Sequence, residues 1–585
     1  MSPLLRLAAL AAGLLAAVAT QAAEPSVFTF VRTAPFVSLD PMAQFDVPSI
    51  DVIEEVYSRL FTTGYLERPI RLEPDLLEAM PTLGADKLTY TFRLRKGVKF
   101  HDNACFAGGK GRELTADDVL YSLRRFADAR ANSLSWSTMA GAVAGLDAFR
   151  AATAKAPADA DLSALEIAGL HRIDASTFSI TLTHENPQFL YVLALAPASI
   201  VPVEAVRLYK DRFGVNPVGT GPFMLPGPVD RKATLHLVRN PNYYRTYPAT
   251  GAPGDAEKGL LKDAGKRLPL VDAIDMPLIE EAQPAALKFL RGEGDWRALD
   301  RSNFTKMVLR TPDGQFRLAD DYATRFSLYS SVSPSISMLI LNMRDPLLGN
   351  NKPLRQALAA TVDAQAIIDT LYNGRGHRLQ SIVPIEMAGN ERESGAVGNP
   401  HDLARAKKLL ADAGYPGGHG LPPITLALPG GDADLHNFFD LLRAQFATVG
   451  IQLKADFMDW PAFLKAGAGG KFQISLNGFA APSPDAAIFF SLLYRGNPGN
   501  NFGSYANPAY DKAFEAMRAL PDGPQRLGAI RTMNGLIEDD VPMILIHDPV
   551  AVGVLQKWVG NFKRNPFAPQ LMYLSVDMAA KKKGP

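Results

Sequence analysis

Ile424-Thr-Leu-Ala-Leu428, Ile451-Gln-Leu-Lys-Ala-Asp-Phe457 and Phe472-Gln-Ile-Ser-Leu476 decide the fold. In each stretch the apolar residues recur every second position, the period of a β-strand. Between the first two, Leu435, Phe438, Phe439, Leu442 and Phe446 recur with helical spacing and stop at Gly450. Between the second and third, Trp460, Phe463 and Leu464 mark a shorter helix. Strand, helix, strand, helix, strand implies right-handed crossovers and a mainly parallel sheet covered on both faces. Ligands of such sheets sit beyond the carboxyl ends of the strands. The third strand leads into Asn477-Gly-Phe-Ala-Ala-Pro-Ser-Pro-Asp485, which topology makes the segment to search for a site.

Working outward, the helical pattern continues upstream. Pro353 opens a helix that carries Leu354 and Leu358. Asp363 caps another through Ile367 and Leu371. Leu403, Ala406, Leu410 and Ala413 form a third stripe, ended by Gly414. In the first half, Leu88, Tyr90, Phe92 and Leu94 alternate with polar residues as a half-buried strand, and Val98-Lys-Phe100 resumes it after the Lys96-Gly97 turn. Thr115-x-x-Asp118 opens a helix with Val119, Leu120, Leu123 and Phe126 on one face. Ala142–Ala168 reads as surface helix or loop, and Tyr243–Leu270 as a long exposed excursion.

Met1–Ala23 has the pattern of a secretory signal peptide: Arg6, an apolar run from Leu7 to Ala19, then small residues cleaved after Ala22 or Ala23. The run is short for a transmembrane span. The single cysteine, Cys105, lies far from that junction, so neither a lipid anchor nor an intrachain disulfide is expected. The expected product is a soluble protein exported across one membrane. Its 585 residues suffice for two to four domains. Lys+Arg 61 balance Asp+Glu 60, which argues against nucleic acid or an anionic membrane as partner. Lys581-Lys-Lys583 reads as a solvated tail.

Signs of catalysis or metal binding are sparse. The nine histidines show no HExxH and no close pair, and one cysteine cannot build a thiolate site. Gly108, Gly109 and Gly111 lie near Lys110 without the spacing of a phosphate-binding loop. No Gly-x-Ser-x-Gly elbow occurs. The adjacent pairs Asp117-Asp118, Glu280-Glu281 and Asp539-Asp540 diverge on a helix and form no acid–base dyad. No catalytic residue, cofactor or metal is expected, and the pattern favours a binding protein over an enzyme.

Tyr90-Thr-Phe-Arg-Leu-Arg-Lys-Gly-Val-Lys-Phe-His-Asp102 and Leu114-Thr-Ala-Asp-Asp-Val-Leu-Tyr-Ser-Leu-Arg-Arg125 resemble two consecutive blocks of the family 5 extracellular solute-binding proteins. These are the oligopeptide-, dipeptide- and nickel-type receptors of ABC importers. Leu39-Asp-Pro41, Val56-Tyr-Ser-Arg-Leu-Phe61, Pro217-Val-Gly-Thr-Gly-Pro-Phe223, Asn240-Pro-Asn-Tyr-Tyr244, Leu354-Arg-Gln-Ala-Leu358 and Ala406-Lys-Lys-Leu-Leu-Ala-Asp-Ala-Gly-Tyr415 follow in the family's order. The resemblance implies an α/β, two-lobed periplasmic binding protein fold (type II, cluster C) with an extra domain inserted in lobe I. Mapped onto this chain, lobe I takes 24–55, 216–325 and 548–585, the extra domain 56–215, and lobe II 326–547. Phe326 to Leu341 then crosses between lobes, and Leu545 to Pro549 returns.

The resemblance also implies the function. A small or peptide-like solute is captured between the lobes and delivered to a separate inner-membrane permease by a monomeric receptor without cofactor. A receptor or chaperone uncoupled from import is the alternative, and a secreted hydrolase a more distant one. In the family's peptide receptors a Gly-Trp-x-x-Asp segment supplies an aromatic wall and a carboxylate for the peptide α-amine. Here Phe479 takes the Trp position and Pro482 the carboxylate position, while Asp485 matches a later Asp. A buried ammonium needs a charged or hydrogen-bonding partner. Either the ligand lacks a free α-amine, or Asp485 substitutes. Asn477, Ser483 and Asn501 near the strand ends, Trp136 in the extra domain and Phe36 before Leu39 complete the candidate ligand contacts.

Overall fold

Met543–Gln556, the longest strand, runs antiparallel to two consecutive strands at once. Its second half pairs with Phe326–Val332, from Phe326 opposite Gln556 to Val332 opposite Val550. Its first half pairs with Ser335–Leu341, with a register shift between Ser337 and Met338. The Ser333 N–H donates to the Pro549 carbonyl at 2.8 Å and keeps the ribbon continuous across the junction. The two stretches expected to cross between lobes are thus hydrogen-bonded to each other along their length. They form the spine of an eight-stranded sheet, in a computed structural model that describes residues 24–585 apart from 44, 45, 132, 134, 158, 159, 161–164, 313, 498 and 568. The expected signal peptide lies outside the described residues.

The strand–helix alternation is as read. Ile424–Pro429 pairs in parallel with Leu453–Met458 and with Ile474–Ala480, and Ala433–Ala447 and Trp460–Gly469 are the crossover helices. The sheet as a whole is mixed, because Ile474–Ala480 lies antiparallel to Ser335–Leu341. Both faces are covered. Along Ser335–Leu341, Ile336, Met338 and Ile340 enter one hydrophobic core, and Leu339 and Leu341 the other. That is the period-two rule applied to a strand buried on both sides. Leu339, Leu341, Leu426 and Ile474 are fully buried, each contributing about 2 kcal/mol.

The first half of the chain forms one continuous core that also takes in Leu571 to Leu574. It contains two four-stranded sheets, one ordered Val27–Thr29, Ala273–Met276, Leu235–Arg239, Phe223–Met224 and the other Thr82–Leu83, Thr89–Arg93, Thr177–Thr181, Leu170–Arg172. Tyr90 and Phe92 point inward as their alternation requires, and Phe92 stacks on Phe178 at 5.0 Å. Asp118 accepts from the Thr115 N–H at 2.9 Å and starts the helix Ala116–Ala127. The Gly-rich loop is held by Asp102, which accepts from Lys110 Nζ at 2.7 Å and from the Gly111 N–H at 3.0 Å.

Three expectations change. Val98–Phe100 keeps the alternation, with Val98 and Phe100 buried about an exposed Lys99, but it forms no strand: Lys99 bridges to Glu113, and the His101 N–H turns to the Gly219 carbonyl. The 243–270 excursion is anchored. Tyr247 packs edge-on to Tyr65 and Tyr573, and Asp255 pairs with Lys563 at 2.7 Å. Of the lysines near the C-terminus, Lys582 and Lys583 are exposed as expected, but Lys581 is not. Lys581 reaches the fully buried Asp295 at 2.6 Å, and the same carboxylate accepts from Trp558 Nε1 at 2.6 Å and from the Thr29 N–H at 2.7 Å. One buried charge thereby ties the two ends of the described chain together. Lys581→Met is expected to cost about 3 kcal/mol by leaving Asp295 unpaired. Adding Asp295→Asn should recover part of the loss; calorimetric melting of wild type and the two variants checks both.

Candidate functional site

Ile474–Ala480 runs four residues past the expected end of the third strand, because Ser335–Leu341 offers it partners as far as Ala480. Asn477, Gly478 and Phe479 therefore lie in the sheet. Ala481 to Pro484 then turns the chain toward Asp485, which caps the helix Ala486–Phe490 by accepting from the Ala487 N–H at 2.7 Å. This turn forms the rim of a cavity of about 480 Å³. Pro482, Ser483 and Asp485 line one side, and Gln188, Tyr191, Val192 and Leu195 face them from a segment far away in sequence. Ile488, Tyr494, Asn497, Phe514 and Arg518 complete it.

The charge at the rim is already matched. Asp485 is 1% exposed and Arg526 5%, and they meet at 2.5 Å. Arg526 also reaches Asp522 at 2.6 Å. The Gln188 amide joins the two walls in the orientation that satisfies both of its ends: its oxygen then accepts from Arg526 Nη2 at 3.0 Å, and its nitrogen donates to the Arg518 carbonyl at 2.6 Å. Arg71, from the first half of the chain, adds an ion pair to Glu393 at 3.1 Å and approaches Asp522 at 3.6 Å. Burial pushes the Asp485 carboxyl up, against the pull of Arg526. Oδ1 serves both Arg526 and the helix cap, whereas Oδ2 is buried without a partner.

The sequence profile described as bacterial extracellular solute-binding proteins, family 5 Middle, matches residues 71–501. This chain belongs to that family. Di/tripeptide-binding protein 3 of Pseudomonas aeruginosa is 26% identical over 519 residues, 86% of each chain. Heme-binding protein A of Haemophilus influenzae is 25% identical over 540 residues, 90% of this chain and 87% of its own. The fold matches the unliganded open form of the periplasmic murein tripeptide-binding protein MppA with a TM-score of 0.74, at 19% identity over 95% of this chain and 98% of that one. The architecture is thus the two-lobed one, and the family is one of solute-binding transport proteins, not of enzymes.

In this solute-binding protein the candidate contacts separate. Ser483 and Asp485 line the cavity. Phe479 lies beside it, its half-buried ring edge-on to Phe489 at 5.5 Å. Asn477 is turned along its own strand, donating to Ser475 Oγ at 2.7 Å. Trp136 lies under the Arg150 guanidinium at 4.7 Å, outside the cavity lining. Phe36 belongs to the first core, 1% exposed beneath Arg32. Asn501 closes a loop through the Tyr505 N–H and carbonyl at 3.0 and 2.8 Å, away from this cavity. Neither of the last two lines this cavity, and Asn501 lines a different one, with Arg344, Phe502 and Tyr505. Sequence reading missed Gln188, Tyr191, Arg518 and Arg526, which no motif marks. The only hint of Arg526 was the cost of leaving Asp485 unpaired in an apolar turn.

Arg526→Met is expected to destabilise the protein by about 3 kcal/mol, since it strands Asp485 and Asp522 together. Asp485→Asn should cost less, because its amide oxygen still accepts from the Ala487 N–H. Equal losses in chemical denaturation would show that loss of the ion pair itself, and not the stranded charge, sets the cost.

Proposed function

We propose that this protein is the periplasmic receptor of an ABC importer. It is exported by Met1–Ala23, works as a monomer without catalysing a reaction, and hands its solute to a permease made of separate chains. The lobes divide as the family pattern suggests: 24–55, 216–325 and 548–585 in lobe I, 56–215 as the inserted domain, and 326–547 in lobe II. The ribbon of 326–341 against 543–556 is the hinge about which they close. Among the described residues no helix is long and apolar enough to cross a membrane, in keeping with a separate permease.

The observation that carries this reading is the cavity between 186–195 and 482–518. Its walls come from the inserted domain and from lobe II in this division, its volume suits a small solute, and its lining mixes apolar side chains with a few polar groups. Relatives named for di- and tripeptides and for heme bracket the solute class. The rim, however, offers no carboxylate at Pro482, and Asp485 is neutralised by Arg526. We read the solute as peptide-like or of similar size, with its α-amine blocked or absent.

A thermal-shift panel of free-amine di- and tripeptides, their N-acetylated forms and heme tests this reading. A ligand at about 100 times its Kd adds about 2.7 kcal/mol. Stabilisation by amine-blocked compounds is expected. Stabilisation mainly by free-amine peptides, unchanged in Asp485→Ala, would overturn the ligand assignment.

A further inference from the structure

Arg518 ends the helix Pro508–Arg518 and lines the cavity, its guanidinium 5.8 Å from the centre of the Phe514 ring. The carboxylates around it are committed elsewhere. Asp485 and Asp522 pair with Arg526, Asp511 with Arg495 at 3.3 Å, and Glu515 accepts from the Tyr494 hydroxyl at 2.8 Å. The cavity thus holds a half-buried cation with no ion-pair partner among the described residues. It also holds one buried acceptor without a donor, Asp485 Oδ2. Between them stand neutral groups, Asn186, Gln188 and Asn497, and the apolar Val192, Leu195 and Ile488.

An ammonium brought to Asp485 Oδ2 would lie beside the Arg526 guanidinium, which already cancels that charge. A neutral donor meets no such repulsion. At Arg518 the logic is reversed: a planar guanidinium on an aromatic face, with its carboxylate neighbours engaged, suits a carboxylate in a charge-assisted, bidentate geometry.

Resting on the reading of this cavity as the solute site, we propose that it binds a small amphipathic anion. The ligand's carboxylate pairs with Arg518, its apolar groups lie against Val192, Leu195 and Ile488, and an amide N–H or hydroxyl donates to Asp485 Oδ2. An N-acylated dipeptide with a free C-terminus has this chemistry, and Arg518 is the residue that selects for the negative charge.

The test is calorimetric titration of the full exported chain with N-acetyl-Leu-Leu and with its C-terminal amide. Wild type should bind the acid at least tenfold more tightly than the amide. Arg518→Gln should weaken the acid at least tenfold and leave the amide unchanged, and Arg518→Lys should restore part of the difference. Equal binding of acid and amide, no effect of Arg518→Gln, or binding of neither compound at millimolar concentration would overturn the proposal. Ile488→Trp and Val192→Trp, which fill the cavity from opposite walls, separate the two readings. Binding that they abolish but Arg518→Gln does not alter keeps the cavity and removes the anion. Binding that neither of them alters removes the cavity as the solute site. Circular dichroism melts of all four variants establish that they are folded.

Discussion

The pairing of 326–341 with 543–556 is the constraint on which the rest of the molecule depends. Two segments about two hundred residues apart exchange backbone hydrogen bonds along an unbroken ribbon. Everything between them, from the helix Lys352–Thr361 to the helix Pro524–Asp540, is therefore an excursion that leaves the ribbon and returns to it. Such a ribbon can bend or twist at its junction while its hydrogen bonds remain. The register shift beside Ser337 and the Ser333–Pro549 contact mark where its two halves meet. Paired strands limit the relative motion of what they join, because stretching one segment would break its bonds to the other.

The cavity follows from that geometry. Ile474–Ala480 is carried alongside the ribbon by Ser335–Leu341, and the turn after it is delivered opposite Gln188 and Tyr191. Arg526 then decides the electrostatics. By pairing with Asp485 and Asp522 and accepting the approach of Gln188, it links the helix cap, the cavity rim and the opposite wall in one network. A carboxylate that sequence position alone marks as a free acceptor is largely a structural charge, with one oxygen buried without a donor.

Long-range polar anchors recur elsewhere. Asp295 collects Lys581, Trp558 and Thr29, and Lys563 reaches Asp255. These contacts explain why the 243–270 stretch and Lys581, both polar by composition, are integral to the fold. Composition measures how well a segment tolerates water. It carries no information about which buried charge elsewhere requires it.

The sequence by itself determined the local elements: the strands and crossover helices of 424–480, the caps at Thr115 and Asp363, the inward faces of Tyr90 and Phe92, and the family to which their order belongs. Periodicity and capping are set by neighbours within a few residues, so they can be read along the chain. Only the tertiary structure decided that Phe36 is buried in the first core, that Asn501 closes a loop with Tyr505, that Val98–Phe100 forms a bridge and not a strand, and that Asp485 belongs to Arg526 while Arg518 has no ion-pair partner among the described residues. Those outcomes depend on which groups arrive from distant parts of the chain to satisfy a buried charge or a backbone donor. No spacing along the sequence encodes that arrival.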